Sequence, residues 1–194
     1  MKYLNLSNNQ VTDEGVLLLT LAKWPLLEEL KTQNTKVSLD GIEMIVNQSR
    51  WHRLKHLNLS DNEISDEGVT KLVRKEWPYL EELYLRNAKI TPLGIESLVN
   101  KMKLMNLKKL DISGNPILDE GLETLTFGKW PLLQHLVYYN TQVTLKGNIA
   151  LLESFPWPCL QHLEHSLAES FYGSLSLKLS SPQFQCIITQ NLCQ

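Results

Sequence analysis

Two residue types keep one register along most of this chain. Leu4, Leu30, Leu57, Leu83, Leu110, Leu136 and Leu163 are spaced alternately 26 and 27 residues apart, and so are Gly15, Gly41, Gly68, Gly94, Gly121 and Gly147. Such self-similarity restricts the chain to a stack of one small structural unit used repeatedly.

Each unit reads as a strand followed by a helix. Around the leucine the pattern is L-x-x-L-x-L, as in Leu54-Lys55-His56-Leu57-Asn58-Leu59 and Leu80-Glu81-Glu82-Leu83-Tyr84-Leu85. That alternation is a strand with one face in the core. A further column follows: Asn9, Thr35, Asn62, Ala88, Asn115 and Thr141. Two residues beyond it stands a β-branched residue, from Val11 to Val143. Thr12, Ser38, Ser65, Thr91 and Thr144 then stand three residues before the glycine, where an N-cap is expected. Asp-Glu pairs at 13–14, 66–67 and 119–120 add first-turn negative charge that suits the helix dipole. Apolar residues at one and four places past the glycine, such as Ile42/Ile45 and Leu122/Leu125, face the sheet. Trp-Pro at 24–25, 77–78, 130–131 and 157–158 closes most units, because proline cannot continue a helix.

This unit resembles the leucine-rich-repeat family, with consensus L-x-x-L-x-L-x-x-N. Its length, and the Asp-Glu-Gly opening of the helix, are similar to the ribonuclease-inhibitor-like and F-box-associated repeat classes. The resemblance implies an α/β solenoid, a curved horseshoe with a parallel sheet on the concave face and helices on the convex face. It also implies that the asparagine column bonds neighbouring backbone in a ladder; Thr35 and Thr141 can do part of this and Ala88 cannot. Odd units carry asparagine and Asp-Glu-Gly and even units do not, so the duplicated unit is a pair of about 53 residues.

Residues 1–165 are expected to form about six full units plus a degenerate seventh strand, with His165 where a leucine belongs. Residues 166–194 lose the pattern and are expected to be a degenerate C-cap or a disordered tail. Met1 takes the first leucine position with no capping segment before it. A solenoid end normally needs a polar cap. The expectation is either a fragment of a longer chain or an N-terminal edge that meets a partner, self-association through that edge included. Inside, Thr32 and Tyr138 fill leucine positions and Asn148 replaces an apolar residue, so local looseness is expected near Asn148.

Hydrophobic residues make up 43% of the chain and the net charge is −2, with both signs spread along it. No basic patch is legible, which argues against nucleic acid and anionic membranes as partners. The cysteines are Cys159, Cys186 and Cys193, an odd number without zinc spacing. They point to a reducing compartment and a cytoplasmic location. No signal peptide or membrane span is read. Phosphate-loop, dinucleotide, zinc-protease and nucleophile-elbow motifs are absent. No enzyme activity, cofactor or metal is therefore expected. His135 and His162 share a column but lack a third ligand, and Cys159 is read as a core residue in a leucine position.

Function is then expected on the concave face. Its first column alternates Lys2, Glu28, Lys55, Glu81 and Lys108, which predicts self-neutralising pairs between neighbouring strands. Tyrosine and arginine are the types enriched at binding hot spots. Lys31, Asn58, Tyr84, Arg86, Asp111 and Tyr139 are the candidate partner-binding residues. The expected function is a non-catalytic protein-protein interaction module. The alternatives are the substrate-recognition part of a ubiquitin ligase or bacterial effector, or an enzyme inhibitor of the ribonuclease-inhibitor type. A strongly acidic concave face, as an inhibitor of a basic enzyme would carry, is not seen.

Overall fold

The computed structural model describes residues 1–22, 24–154 and 156–165. Strand and helix alternate throughout: β1 (Tyr3–Asn5), α1 (Thr12–Leu21), β2 (Glu29–Lys31), α2 (Leu39–Gln48), β3 (His56–Asn58), α3 (Ser65–Leu72), β4 (Glu82–Tyr84), α4 (Pro92–Lys101), β5 (Lys109–Asp111), α5 (Leu118–Leu125), β6 (His135–Val137), α6 (Leu145–Ser154) and β7 (His162–Glu164). The strands form one parallel sheet in chain order. Leu4, Leu30, Leu57, Leu83, Leu110, Leu136 and Leu163 lie opposite one another across it. Helices need about 8–10 Å between axes and strands only about 4.8 Å. A stack with one helix behind each strand therefore bends with its sheet on the inner side. The segment 166–194, read as a cap or tail, lies outside the described residues.

The core is the leucine columns closed by the helices. Leu57, Leu83, Leu110 and Leu136 are fully buried, as are Ile42, Ile45, Leu122 and Leu125 on the helix faces. The tryptophans form a column of their own: Trp24, Trp51, Trp77, Trp130 and Trp157 each stand six residues before the central leucine of the next strand, with Leu104 at the remaining place. Trp51 lacks the following proline and is still 2% exposed, so the column is set by packing rather than by the Trp-Pro pair. Trp77 Nε1 donates to Leu72 O at 3.1 Å and Trp157 Nε1 to Gly128 O at 3.0 Å, while Trp130 and Trp157 stack at 6.0 Å.

Two side-chain devices tie neighbouring repeats together. Asn62 Oδ1 accepts from the backbone N–H of Thr35 and Val37, both at 3.1 Å, and its amide donates to Thr32 O, Leu59 O and Ser60 O. Asn115 repeats this on Ala88 N, Ile90 N, Leu85 O, Ile112 O and Ser113 O. The second device involves the aspartate of Asp-Glu-Gly. Asp66 accepts from Thr91 N at 2.8 Å and Thr91 Oγ1 at 2.6 Å, one repeat ahead. Asp13 does the same to Ser38, and Asp119 to Thr144. A Cβ at Gly94 would stand 2.4 Å from Asp66 Oδ1, so glycine there makes room for the carboxylate of the preceding repeat.

These contacts correct the helix-start reading. Ser38 and Thr91 do cap, accepting from Asp40 N and Leu93 N, and Thr144 accepts from Lys146 N. Thr12 and Ser65 do not: they begin their helices with φ of 55° and 58° and make no cap bond. Leu118 takes the same left-handed place at φ 59°. The looseness expected near Asn148 is absent too. Asn148 is 2% exposed, its Oδ1 accepts from the Tyr138 hydroxyl at 2.7 Å and its amide donates to Thr144 O at 2.8 Å. The two departures from the pattern are partners. Cys159 is also misplaced by the sequence reading: Leu160 fills the leucine position, 8% exposed, and Cys159 stands half-buried just before it.

Asn115→Ala would orphan buried donors and acceptors of two repeats and is expected to cost about 3 kcal/mol in urea unfolding. Asn9→Ala, at an exposed site bonded only to Leu6 O and Ser7 O, should cost less than about 1 kcal/mol. Equal losses would refute the reach-across role. Burial alone would raise the Asp119 carboxyl, but Thr144, the Gly147 N–H and Lys146 outweigh it and hold it below the usual carboxylate range. A depressed folded pKa means that its stabilisation is present above the unfolded value near 3.9 and is lost as pH falls below it. Asp119→Asn should therefore flatten the acid limb of the stability profile below about pH 4, and an unchanged limb would count against the clamp.

Candidate functional site on the concave sheet face

The concave side presents three columns of side chains. In the first, Lys2 and Lys55 flank Glu28 at 3.0 and 3.4 Å, and Lys108 reaches Glu81 at 2.7 Å. Glu28 sits below its ordinary range, chiefly through the Lys2 hydrogen bond. The neutralising pairs read from the sequence are thus formed between adjacent strands.

The second and third columns meet around β4. The Tyr84 hydroxyl donates to Glu82 at 2.7 Å, and His56 Nδ1 lies 3.1 Å from the same carboxylate. Burial would raise Glu82, but the Tyr84 and His56 contacts and Lys109 more than offset it. Burial and the Glu82 bond drive the Tyr84 phenol upward, with Asp111 and Glu29 adding to the shift, so it stays a donor. Lys109 Nζ lies 5.2 Å from the Tyr84 ring centre. Tyr84 is thereby held on its hydroxyl and over its ring.

The six candidate residues divide into two groups. Lys31, Asn58, Tyr84 and Asp111 form one row in register from β2 to β5. Arg86 and Tyr139 lie two residues past their strands, and the guanidinium stacks over the Tyr139 ring at 5.6 Å. That contact spans the intervening repeat, whose residues at this level are Ser113 and Gly114. Gly114 has φ +68°, and a Cβ there would meet Asn87 Oδ1 at 1.8 Å. The column of Asn8, Asn34, Asp61, Asn87, Gly114 and Asn140 has positive φ throughout, a conformation favoured by Asn, Asp and Gly. Its members serve the turn and are linked by Asn34–Asn8 and Asn87–Asp61 bonds.

Three candidates have local duties. Asn58 Oδ1 accepts from Ser60 N at 3.0 Å, and Asp111 Oδ1 from Ser113 N at 3.0 Å, so each holds the exit of its strand. Lys31 is paired with Glu29 at 2.6 Å. Val137, next in the row, is 3% exposed and offers little surface. Glu82 and Lys109, which immobilise Tyr84, are not among the six candidates, although Glu82 stands two residues before Tyr84 on one strand face and the register sets Lys109 opposite Glu82. The sequence reading also left aside the His135–His162 pair as a feature of the face. Their rings stack at 4.4 Å. Burial, then His162 and Lys109, lowers the His135 pKa. Among the described residues, no three histidine, cysteine or acidic groups are placed to hold a metal ion.

One helix behind each strand, a parallel sheet in chain order and asparagines bonding across repeats define a solenoid platform. The chain belongs to the leucine-rich-repeat proteins. The Leucine Rich repeat model matches residues 1–19, 52–73 and 103–125, all in odd units, which carry the asparagine and the Asp-Glu-Gly run. The mouse ribonuclease inhibitor is 34% identical over 153 residues, covering 72% of this chain and 33% of that protein. The mouse NACHT, LRR and PYD domains-containing protein 14 is 31% identical over 131 residues, covering 63% of this chain and 13% of its own. The chain thus spans a third or less of these relatives. The crystal structure of internalin C2 from Listeria monocytogenes shares the fold, with a TM-score of 0.50 at 17% identity, covering 96% of this chain and 80% of that one.

His162→Gln removes both the stacked ring that buries His135 and the charge that opposes its protonation. The His135 midpoint in an NMR titration should rise toward the ordinary imidazole range near 6.5. A midpoint that stays low would mean the stacking is not the cause.

Proposed function

We propose that the chain is a non-catalytic protein-interaction module that engages a protein partner through the concave face, at Lys31, Asn58, Tyr84, Arg86, Asp111 and Tyr139. Leucine-rich-repeat proteins are generally interaction modules. The observation that carries the reading is the Arg86–Tyr139 stack beside a Tyr84 fixed by Glu82 and Lys109. Side chains already held in place lose less entropy on binding, and aromatic and arginine anchors dominate interface energetics. The Lys–Glu column neutralises itself from β1 to β5, so selectivity falls to the row of Lys31, Asn58, Tyr84 and Asp111 and to the Arg86–Tyr139 stack. Strand separation of about 4.8 Å gives the seven-stranded face a span near 30 Å, enough for a standard interface of about 800 Å² per partner.

The similarity to ribonuclease inhibitor supports an inhibitor reading as the second choice. The paired Lys–Glu column is unlike a face built for a basic enzyme. A recognition role within a larger ligase or effector would use the same surface. Among the described residues no helix is long and apolar enough to cross a membrane, and a cytoplasmic location is part of this proposal.

The test is a pull-down with the wild-type chain beside a Tyr84→Ala/Arg86→Ala variant, after circular dichroism shows both folded. The proposal expects a discrete protein captured by wild type, with capture by the variant reduced about tenfold or more, as for loss of a hot spot. Equal capture by both would place the interface elsewhere.

A further inference from the structure

Folding gathers cations that the sequence spreads evenly onto one edge of the solenoid. The helix ends and the loops that lead back to the next strand carry Arg50, Arg53, Arg74, Lys101, Lys103 and Lys129, all exposed. From the end of α2 to the start of β6, the acidic residues in these described loops are Glu76 and Glu81, and Glu81 is paired with Lys108 in the concave column. The opposite rim, where strands lead into helices, is mixed: Asp40, Asp61, Glu63, Glu67 and Glu120 stand there with Lys36, Arg86 and Lys89, and Lys89 pairs with Glu63.

The basic rim differs from the concave face in a second way. Lys2, Lys31, Lys55 and Lys108 all have carboxylate partners there. None of the six rim cations makes an ion pair among the described residues; Arg74 feels Glu43 only at longer range. Cations near helix C-termini often serve the last carbonyls. On this rim Lys75 does so, donating to Ser49 O at 2.8 Å and Val46 O at 3.4 Å. The six others make no such bond.

The rim also has an apolar bed. A cleft of about 490 Å³ runs between Val73–Pro78 on one repeat and Lys101, Lys103 and Met105 on the next. A second, of about 430 Å³, continues past the same lysines to Phe127 and Lys129. Met105 is 57% exposed and Phe127 69%. Both clefts fall in the range of roughly 300–1,000 Å³ typical of ligand sites.

We infer that this rim is a second docking surface, whose occupant is an acidic polypeptide segment that sets apolar side chains into the Pro78–Met105–Phe127 trough and carboxylates against Lys101, Lys103 and Lys129. Charge complementarity selects an anionic occupant. The apolar floor of Pro78, Met105 and Phe127 receives a peptide's apolar side chains, which a polynucleotide lacks. A long polyanion would also meet a molecule of net charge −2. A second copy docking here would make a head-to-tail contact, which sedimentation would reveal as self-association.

The probe is a fluorescein-labelled peptide of about 15 residues alternating Glu/Asp with Leu and one Trp, read by fluorescence anisotropy with the full chain. Its Gln/Asn counterpart and an oligothymidylate of equal charge are the controls. Wild type should bind the acidic peptide, with affinity falling about tenfold between roughly 50 and 300 mM salt. Lys101→Glu/Lys103→Glu should weaken it by about tenfold or more, Met105→Ala less, and Tyr84→Ala/Arg86→Ala not at all. That last variant separates this surface from the concave site. Equal binding by the Lys101→Glu/Lys103→Glu variant, salt-independent binding, or no binding overturns the inference. So does tighter binding of the oligonucleotide, or salt-sensitive self-association in sedimentation that the lysine reversals abolish.

Discussion

The stack depends on side chains of odd repeats satisfying the backbone of even ones. Asp13 reaches forward to Ser38, and Asn62 reaches back to Thr35 and Val37, so the second repeat is clasped from both sides. Asp66 and Asn115 clasp the fourth in the same way. A buried N–H or carbonyl without a partner is costly. Each clasp therefore fixes both the spacing and the register of adjacent strands. The arrangement also explains the two-repeat period: an even repeat receives these bonds and needs no donor set of its own. Ala88 stands at 0% exposure where an asparagine would otherwise be expected, with its N–H already bonded to Asn115.

With the register held, the concave face becomes a consequence of which residues the rows bring together. Alternating Lys and Glu become neighbours and neutralise one another. Tyr84 falls beside Lys109 and two residues from Glu82, and is immobilised. Arg86 and Tyr139 are two repeats apart in sequence and meet across a repeat whose residues at that level, Ser113 and Gly114, are small. The same geometry puts helix-to-strand loops on one rim and strand-to-helix loops on the other. A charge pattern mixed in sequence thereby gathers unpaired cations on the helix-to-strand edge and leaves both signs on the other.

The strands, the helices, their order and the inward leucines were legible because each follows from a short periodic pattern. The Lys–Glu ladder was legible too, since parallel register converts a column of sequence directly into neighbours. Left-handed residues were not. Thr12, Ser65 and Leu118 carry no side-chain signal for positive φ, and Thr12 and Ser65 look like caps. The forward reach of Asp13, Asp66 and Asp119 was hidden because first-turn acids suit their own helix equally well. Tyr138 and Asn148 each read as a defect when considered alone; their hydrogen bond is a contact within one repeat that periodicity does not encode. The basic rim escaped because whole-chain charge averages over faces, although the cations preceding and following the tryptophan column were open to view.

The central claim, that a protein partner sits on the concave face, is tested most directly by site-specific photo-crosslinking. A benzophenone amino acid would replace Tyr84, Tyr139 or, on the convex side, the exposed Glu96 of α4. The chain would then be irradiated in lysate of cells that express it. The account predicts one discrete adduct shared by positions 84 and 139 and none from position 96. An adduct from position 96 alone would contradict it and move the interface to the helices.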